Sequence, residues 1–244
     1  SVWSRAQEAV KACDLVLMFA TDHKGGLGSL TLTKQPYQTP YGILPTDEAL
    51  IDKLATAIGE DDAYRLELNH RHEHSVELSA VWLHHACPDN PPPMIPLLIG
   101  SFYQYIMSGS HPSKDPKMSR FLEALKAETA GKNVLCVASV DLSHVGPEFG
   151  DDYIMDQSKR DALVESDQGL IKAISEGDAA RFYDEIAGIQ DRNKVCGFSP
   201  VYLMLRYMAM ENETNIKGYP IGYQHCAADA KDHSLVSICG MLLD

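Results

Sequence analysis

Basic residues are scarce in this chain. Lys plus Arg number 21 against 34 Asp plus Glu, a formal charge of −13. So acidic a chain lacks the cationic surplus with which proteins neutralise nucleic-acid phosphates. It equally lacks a polybasic face for anionic lipid. Long apolar runs are missing too, since none approaches the ~20 residues of a membrane-spanning helix. Nucleic acid and membrane are therefore not expected as partners. The cysteines, at 13, 87, 136, 196, 226 and 239, form no CxxC pair and no dense framework. With no charged-then-apolar leader at the N-terminus, they predict reduced thiols and a cytoplasmic location. HExxH is absent, and so is GxxxxGK followed by Ser or Thr. Gly25-Gly26-Leu27-Gly28 lacks the dinucleotide-fingerprint spacing. A compact zinc motif, a P-loop and a Rossmann phosphate turn are thereby excluded.

What is present is globular material. Apolar residues make up 45% and charged residues 23%, which excludes disorder for the bulk of the chain. The 244 residues suffice for one large core, and with no linker-like tract a single domain over 1–244 is expected. Helical spacing is read over 1–12, 47–58, 75–86, 117–130, 156–175, 178–187 and 200–210. Continuous apolar runs at 14–20, 94–99 and 133–140 read as strands buried on both faces. Shorter strands are read at 29–33 and, from the alternation of Tyr64, Leu66 and Leu68, at 64–68. A terminal pair is read at 216–225 and 234–243. Strands alternating with helices predict an α/β fold with a central mixed sheet flanked by helices.

Ligand-type residues cluster in four places where open α/β sheets build sites. Thr21-Asp22-His23-Lys24-Gly25-Gly26 follows the first buried strand, and its glycines let His23 project from a tight loop. Asn69-His70-Arg71-His72-Glu73-His74-Ser75 packs three His and a carboxylate into one turn, in a chain with ten His. It offers a metal ligand or a general acid/base, the plain alternative being a solvated loop. No more than two of those His can enter one site. Ser139-Val140-Asp141-Leu142-Ser143-His144 ends the third buried strand. On a first helical turn Asp141 and His144 would meet, the carboxylate fixing the imidazole tautomer; the alternative is a capping Asp beside an unrelated His. Val195-Cys196-Gly197 precedes the apolar helix at 200–210. A helix dipole there would favour a Cys196 thiolate, although a lone Cys is more often a small buried hydrophobe. Spacing alone leaves a Cys-His-Asp triad and a metal shell both open.

These segments, in this order, resemble the Memo family, which is structurally related to the class III extradiol (LigB-like) aromatic-ring-opening dioxygenases. The matching stretches are Thr21-Asp22-His23, Glu73-His74-Ser75-Val76-Glu77, Ile95–Gly100, Ser139–His144, Cys196-Gly197 and Ser234–Ile238. The resemblance implies a metal pocket of two His and one Cys, with His23 and Cys196 as metal ligands. His74, Asp141 and His144 would stand around the metal as catalytic or auxiliary residues, Asp141 orienting His144. It implies a divalent or redox metal, iron first, with copper or zinc as alternatives. The family's first ligand loop, Pro-His-Ala-Gly-Tyr-like, has no counterpart here: Ser1, not a Met, stands just after where that loop should end. Cys196 also replaces the dioxygenases' carboxylate. A thiolate is softer and itself oxidisable, so ring opening does not follow from the fold.

The leading expectation is a Memo-like metal-binding protein with dioxygenase-related oxidoreductase chemistry. A non-catalytic module holding a small molecule or peptide, or sequestering metal, is the second. A hydrolase with Cys196 as nucleophile is the third. The acidic surface permits a homodimer.

Overall fold

The computed structural model describes residues 2–211 and 216–244. Its contacts divide the chain into two compact units, Trp3–Ser139 and Val140–Asp244.

The first unit runs α1 (Val2–Ala12), β1 (Leu15–Thr21), β2 (Leu30–Leu32), β3 (Tyr37–Thr39), β4 (Gly42–Leu44), α2 (Glu48–Ile58), α3 (Glu60–Tyr64), α4 (His74–Ala86), β5 (Met94–Ile99), α5 (Tyr103–Ser108), α6 (Pro116–Thr129) and β6 (Val134–Ser139). Ser1, part of the expected first helix, lies outside the described residues. A four-stranded mixed sheet is ordered β2-β5-β1-β6. β1 pairs in parallel with both β5 and β6, while β2 runs antiparallel on the outer side of β5. This is the expected mixed sheet flanked by helices.

The unbroken apolar runs of β1 and β5 follow from their central positions, where both faces are covered. On one face Val16, Met18, Ala20, Met94 and Leu98 pack with Val10 of α1 and Val76, Ala80 and Leu83 of α4. The alternate side chains Leu15, Leu17 and Phe19 are equally buried. α2 and α6 pack together, hiding Leu50, Leu54, Phe121 and Leu125 from solvent. Asp47 and Asp115 cap these helices by accepting from Leu50 N at 3.0 Å and Lys117 N at 2.7 Å, as N-cap carboxylates do. Gly131 follows α6 with φ +78°, the left-handed position expected after its last turn.

Two expectations are corrected. Residues 133–140 do not form a strand buried on both faces: β6 is an edge strand and half-buried throughout. Residues 64–68 are not a strand. Glu60, Asp61 and Asp62 fill the first turn of α3, where carboxylates complement the helix dipole. A 3-10 turn, Glu67–Arg71, follows. That turn points Asn69 and His70 inward, whereas Leu68 is 76% exposed, so the apolar alternation marked no buried face.

The second unit runs β7 (His144–Val145), α7 (Gln157–Ser175), α8 (Ala179–Gly188), α9 (Phe198–Glu211), β8 (Gly218–Ala227) and β9 (Leu235–Leu243). Its sheet is antiparallel, ordered β7-β9-β8; β8 and β9 form the expected terminal pair. α8 packs on both α7 and α9, and α7 on β8. No helix among the described residues is long and apolar enough to cross a membrane.

Candidate functional site

The loop after β1 is built on a buried carboxylate. Asp22 N extends the parallel ladder by donating to Ile99 O at 3.0 Å. Its side chain, 4% exposed, accepts from Asn69 Nδ2 at 3.0 and 3.1 Å and from Lys24 N at 3.1 Å. Gly25 is required: a Cβ there would lie 2.6 Å from Asp22 Oδ2 and 2.7 Å from Ser29 Oγ. This tight turn presents His23 with its side chain 42% exposed.

The 3-10 turn supplies the opposite side. His70 is a buried structural residue. Its Nε2 faces Thr31 O at 3.1 Å and its Nδ1 faces the Tyr37 hydroxyl at 2.8 Å. A carbonyl only accepts, so Nε2 carries the hydrogen and Tyr37 donates to Nδ1. Burial pushes the His70 pKa down to about 4, outweighing the Thr31 hydrogen bond and the nearby Asp22 and Glu73 charges. Burial also raises the Tyr37 pKa, with Glu73 and Glu77 adding. His72 is exposed. Of the three His in this run, His74 reaches the site.

Glu73 is the centre. It stands at the N-cap of α4 and accepts from Ser75 N at 3.3 Å. Its Oε2 accepts from His23 N at 3.0 Å, and its Oε1 faces His23 Nδ1 at 3.0 Å and His74 Nδ1 at 3.1 Å. The two imidazoles stack with centroids 5.0 Å apart and planes 15° apart. Burial of Glu73 raises its carboxyl pKa, but the His23 amide and ring and the Ser75 amide prevail and hold it below the usual range. One ligand atom from each of His23, Glu73 and His74 lies within 4.8 Å of the others. Two imidazoles and an ionised carboxylate at that spacing fit a divalent cation of the first transition row. Glu73 lies inside the Glu-His-Ser-Val-Glu match, but in the sequence it is only the one carboxylate of a His-rich turn.

Asp141, His144 and Cys196 belong to the second unit. Asp141 and His144 do not share the expected helical turn. Leu142 N donates to Ser237 O and Ser143 N to Ser237 Oγ, both at 3.0 Å, so pairing to β9 draws the segment out. His144 Nε2 stands 3.8 Å from Asp141 Oδ2, an ion-pair separation longer than a hydrogen bond. The Leu142 carbonyl, 3.2 Å from Nδ1, can only accept, so Nδ1 carries a hydrogen.

Cys196 is brought to this segment by backbone bonds. Cys196 N donates to Leu142 O at 3.0 Å and Gly197 N to Asp141 O at 2.9 Å. A Cβ at Gly197 would lie 2.8 Å from both Asp141 O and Val140 Cγ2, so this close approach needs glycine. His144 N in turn donates to Asn193 O at 2.7 Å.

A buried network supports the segment, and nothing in the sequence spacing pointed to it. Asp167, fully buried, accepts from Ser143 Oγ at 2.6 Å and from the Tyr223 hydroxyl at 2.8 Å. His225 Nε2 lies 2.7 Å from that hydroxyl. Burial, with the Asp167 charge, raises the Tyr223 pKa and pushes the Cys239 thiol up to about 11. Burial thus favours the Cys239 thiol over its thiolate.

The mixed α/β sheet thus carries a His–carboxylate–His cluster just after its central strand β1 and at the start of α4. The chain belongs to the Memo-like protein family, whose model matches residues 2–242. A MEMO1 family protein of Methanococcoides burtonii is 28% identical over 194 residues, 79% of this chain and 62% of that protein. One from Methanosarcina barkeri is 25% identical, with the same shares covered. The matched stretch thus spans about three fifths of the length of these curated relatives. A crystal structure of an uncharacterized Escherichia coli K12 protein matches over 97% of this chain and 90% of that one, with 16% identity and a TM-score of 0.48.

Proposed function

We propose that this Memo-like chain binds a transition-metal ion through His23, Glu73 and His74. The observation that carries the reading is the convergence of two imidazoles on one buried, ionised carboxylate, with ligand atoms within 4.8 Å. Exposed acidic groups cluster often without function. Glu73 is 4% exposed, so its charge is sequestered where a cation compensates it best. The donor set suits iron, as the family resemblance implies, and admits copper or zinc.

The proposed chemistry is that of an oxidoreductase related to the extradiol dioxygenases. A metal held by these two imidazoles and one carboxylate would supply Lewis-acid and O₂ chemistry to a diol. The chain's own residues supply the rest. Glu73 Oε1, 3.0 and 3.1 Å from the two Nδ1 atoms, sets the orientation of both rings. His144, a residue of the second unit, is proposed as the acid/base on the family resemblance alone. Cys196 as a further metal ligand rests on the resemblance, and Cys196→Ser decides it.

The test is anaerobic Fe(II) binding by calorimetry, followed by O₂ uptake with a panel of catechols. Saturable binding lost in His23→Ala and Glu73→Gln supports the metal site. O₂ uptake above background lost in His144→Ala supports the oxidoreductase reading. Metal binding without uptake would reduce the function to metal sequestration. Absence of binding in wild type would leave a ligand- or peptide-binding module.

A further inference from the structure

We propose that the second unit carries a binding cleft for a small organic monocarboxylate with an apolar body. A cleft of about 380 Å³ opens between α7 and the segments Val145–Met155 and Ile189–Asn193. This volume lies within the ordinary range for small-molecule sites.

One face of α7 forms its wall: Lys159, Leu163 and Ser166 stand at helical spacing, so one stripe presents a cation, an apolar surface and a hydroxyl in sequence. Val145, Met155 and Leu163 belong to one buried cluster, with Tyr153 packed against it, and Ile189 adds to the apolar lining. The opposite wall is pinned before any ligand arrives. Asn193 Nδ2 donates to Ser166 Oγ at 3.1 Å, and Asn193 O accepts from His144 N at 2.7 Å. Such preorganisation lowers the ordering cost of binding.

The charges select the ligand. The lining contains Lys159 and Arg192 and no carboxylate, in a chain of net charge −13. Lys159 is paired with Asp156 and lies over the Tyr153 ring, 5.8 Å from its centroid. The nearby Lys194 is paired with Asp151 at 2.6 Å, and Asp151 also bonds Tyr153. Among the described residues Arg192 has no ion-pair partner. One unmatched guanidinium beside an apolar floor suits one carboxylate with a hydrocarbon body, and offers too little charge for a dianion. Because Ile189, Arg192 and Asn193 lead into Cys196, an occupant would rest on the loop that positions Cys196 and His144.

The test titrates the full chain with octanoate by calorimetry, with n-octanol and inorganic phosphate as controls. Arg192→Gln removes the charge. Ala162→Trp fills the cleft from an exposed position. Circular dichroism checks that both variants fold. The expected result is saturable octanoate binding, weakened at least tenfold by Arg192→Gln and abolished by Ala162→Trp. The proposal is overturned by any of four results: no saturable binding, affinity unchanged in either folded variant, octanol binding as tightly as octanoate, or competition by phosphate.

Discussion

Acidification should unlock the His70 seat before it disturbs most of the core. His70 is 8% exposed and held neutral between Thr31 O and the Tyr37 hydroxyl. Its pKa falls from an ordinary value of 6.5 to about 4 in the fold. A depressed imidazole binds its proton more readily unfolded than folded. Its stabilising contribution is therefore complete above pH 6.5 and is lost as pH falls towards 4. The shift of about 2.5 units corresponds to about 3 kcal/mol in total, of which about 2.5 kcal/mol is gone by pH 4.5. His70→Gln keeps a donor and an acceptor but cannot titrate. Carboxylate effects are common to both proteins and cancel in the comparison. Urea titrations at pH 7 and pH 4.5 should show wild type losing about 2 to 3 kcal/mol more than His70→Gln. Equal losses in the two proteins would refute the assignment, as would a His70 ring that titrates near 6.5 by NMR.

Three further outcomes follow from the geometry. Gly197→Ala forces a Cβ to 2.8 Å from Asp141 O and Val140 Cγ2; it should cost about 1–3 kcal/mol and lower Tm in a thermal scan. Ser143→Ala removes one of two donors to the fully buried Asp167; destabilisation of about 1–3 kcal/mol is expected, and Ser143→Ala/Asp167→Asn should recover part of it in denaturant titrations. Glu73, held below its ordinary pKa, stabilises the metal-free chain above the unfolded carboxylate value and loses that contribution as pH falls through the folded one. Glu73→Gln should therefore flatten the acid limb of the stability profile, and an unchanged limb would count against the cluster.

The sheet was legible in the sequence because β1 and β5 carry the unbroken apolar runs that double-sided burial demands. The helices were legible through their apolar spacing, as with Met118, Phe121, Leu122 and Leu125 along α6. The β3–β4 hairpin was not, since strands of three residues are too short to display a period. Tyr64–Leu68 misled because alternation resembles a strand whether or not the apolar side chains are buried, and Leu68 is in water. Within the site, His23 and His74 stood out as ligand types at the ends of elements. The residue between them did not: Glu73 reads as an ordinary helix-capping acid, and only folding turns it onto His23, 50 positions away. The Asp141–His144 contact was anticipated for the wrong reason. Spacing of three suggested a helix, whereas pairing to β9 governs the segment. The Asp167–Tyr223–His225 network depends on tertiary packing of α7 against β8, which no local pattern encodes.

A metal ion held by His23, Glu73 and His74 has a direct spectroscopic signature. Anaerobic Co(II) titration followed by visible absorbance tests it most directly, because ligand-field bands report the donor set itself. The bands should saturate at one equivalent, disappear in His23→Ala and His74→Ala, and show thiolate charge transfer only if Cys196 also binds. Bands that never saturate, or that survive loss of both imidazoles, would contradict such a site.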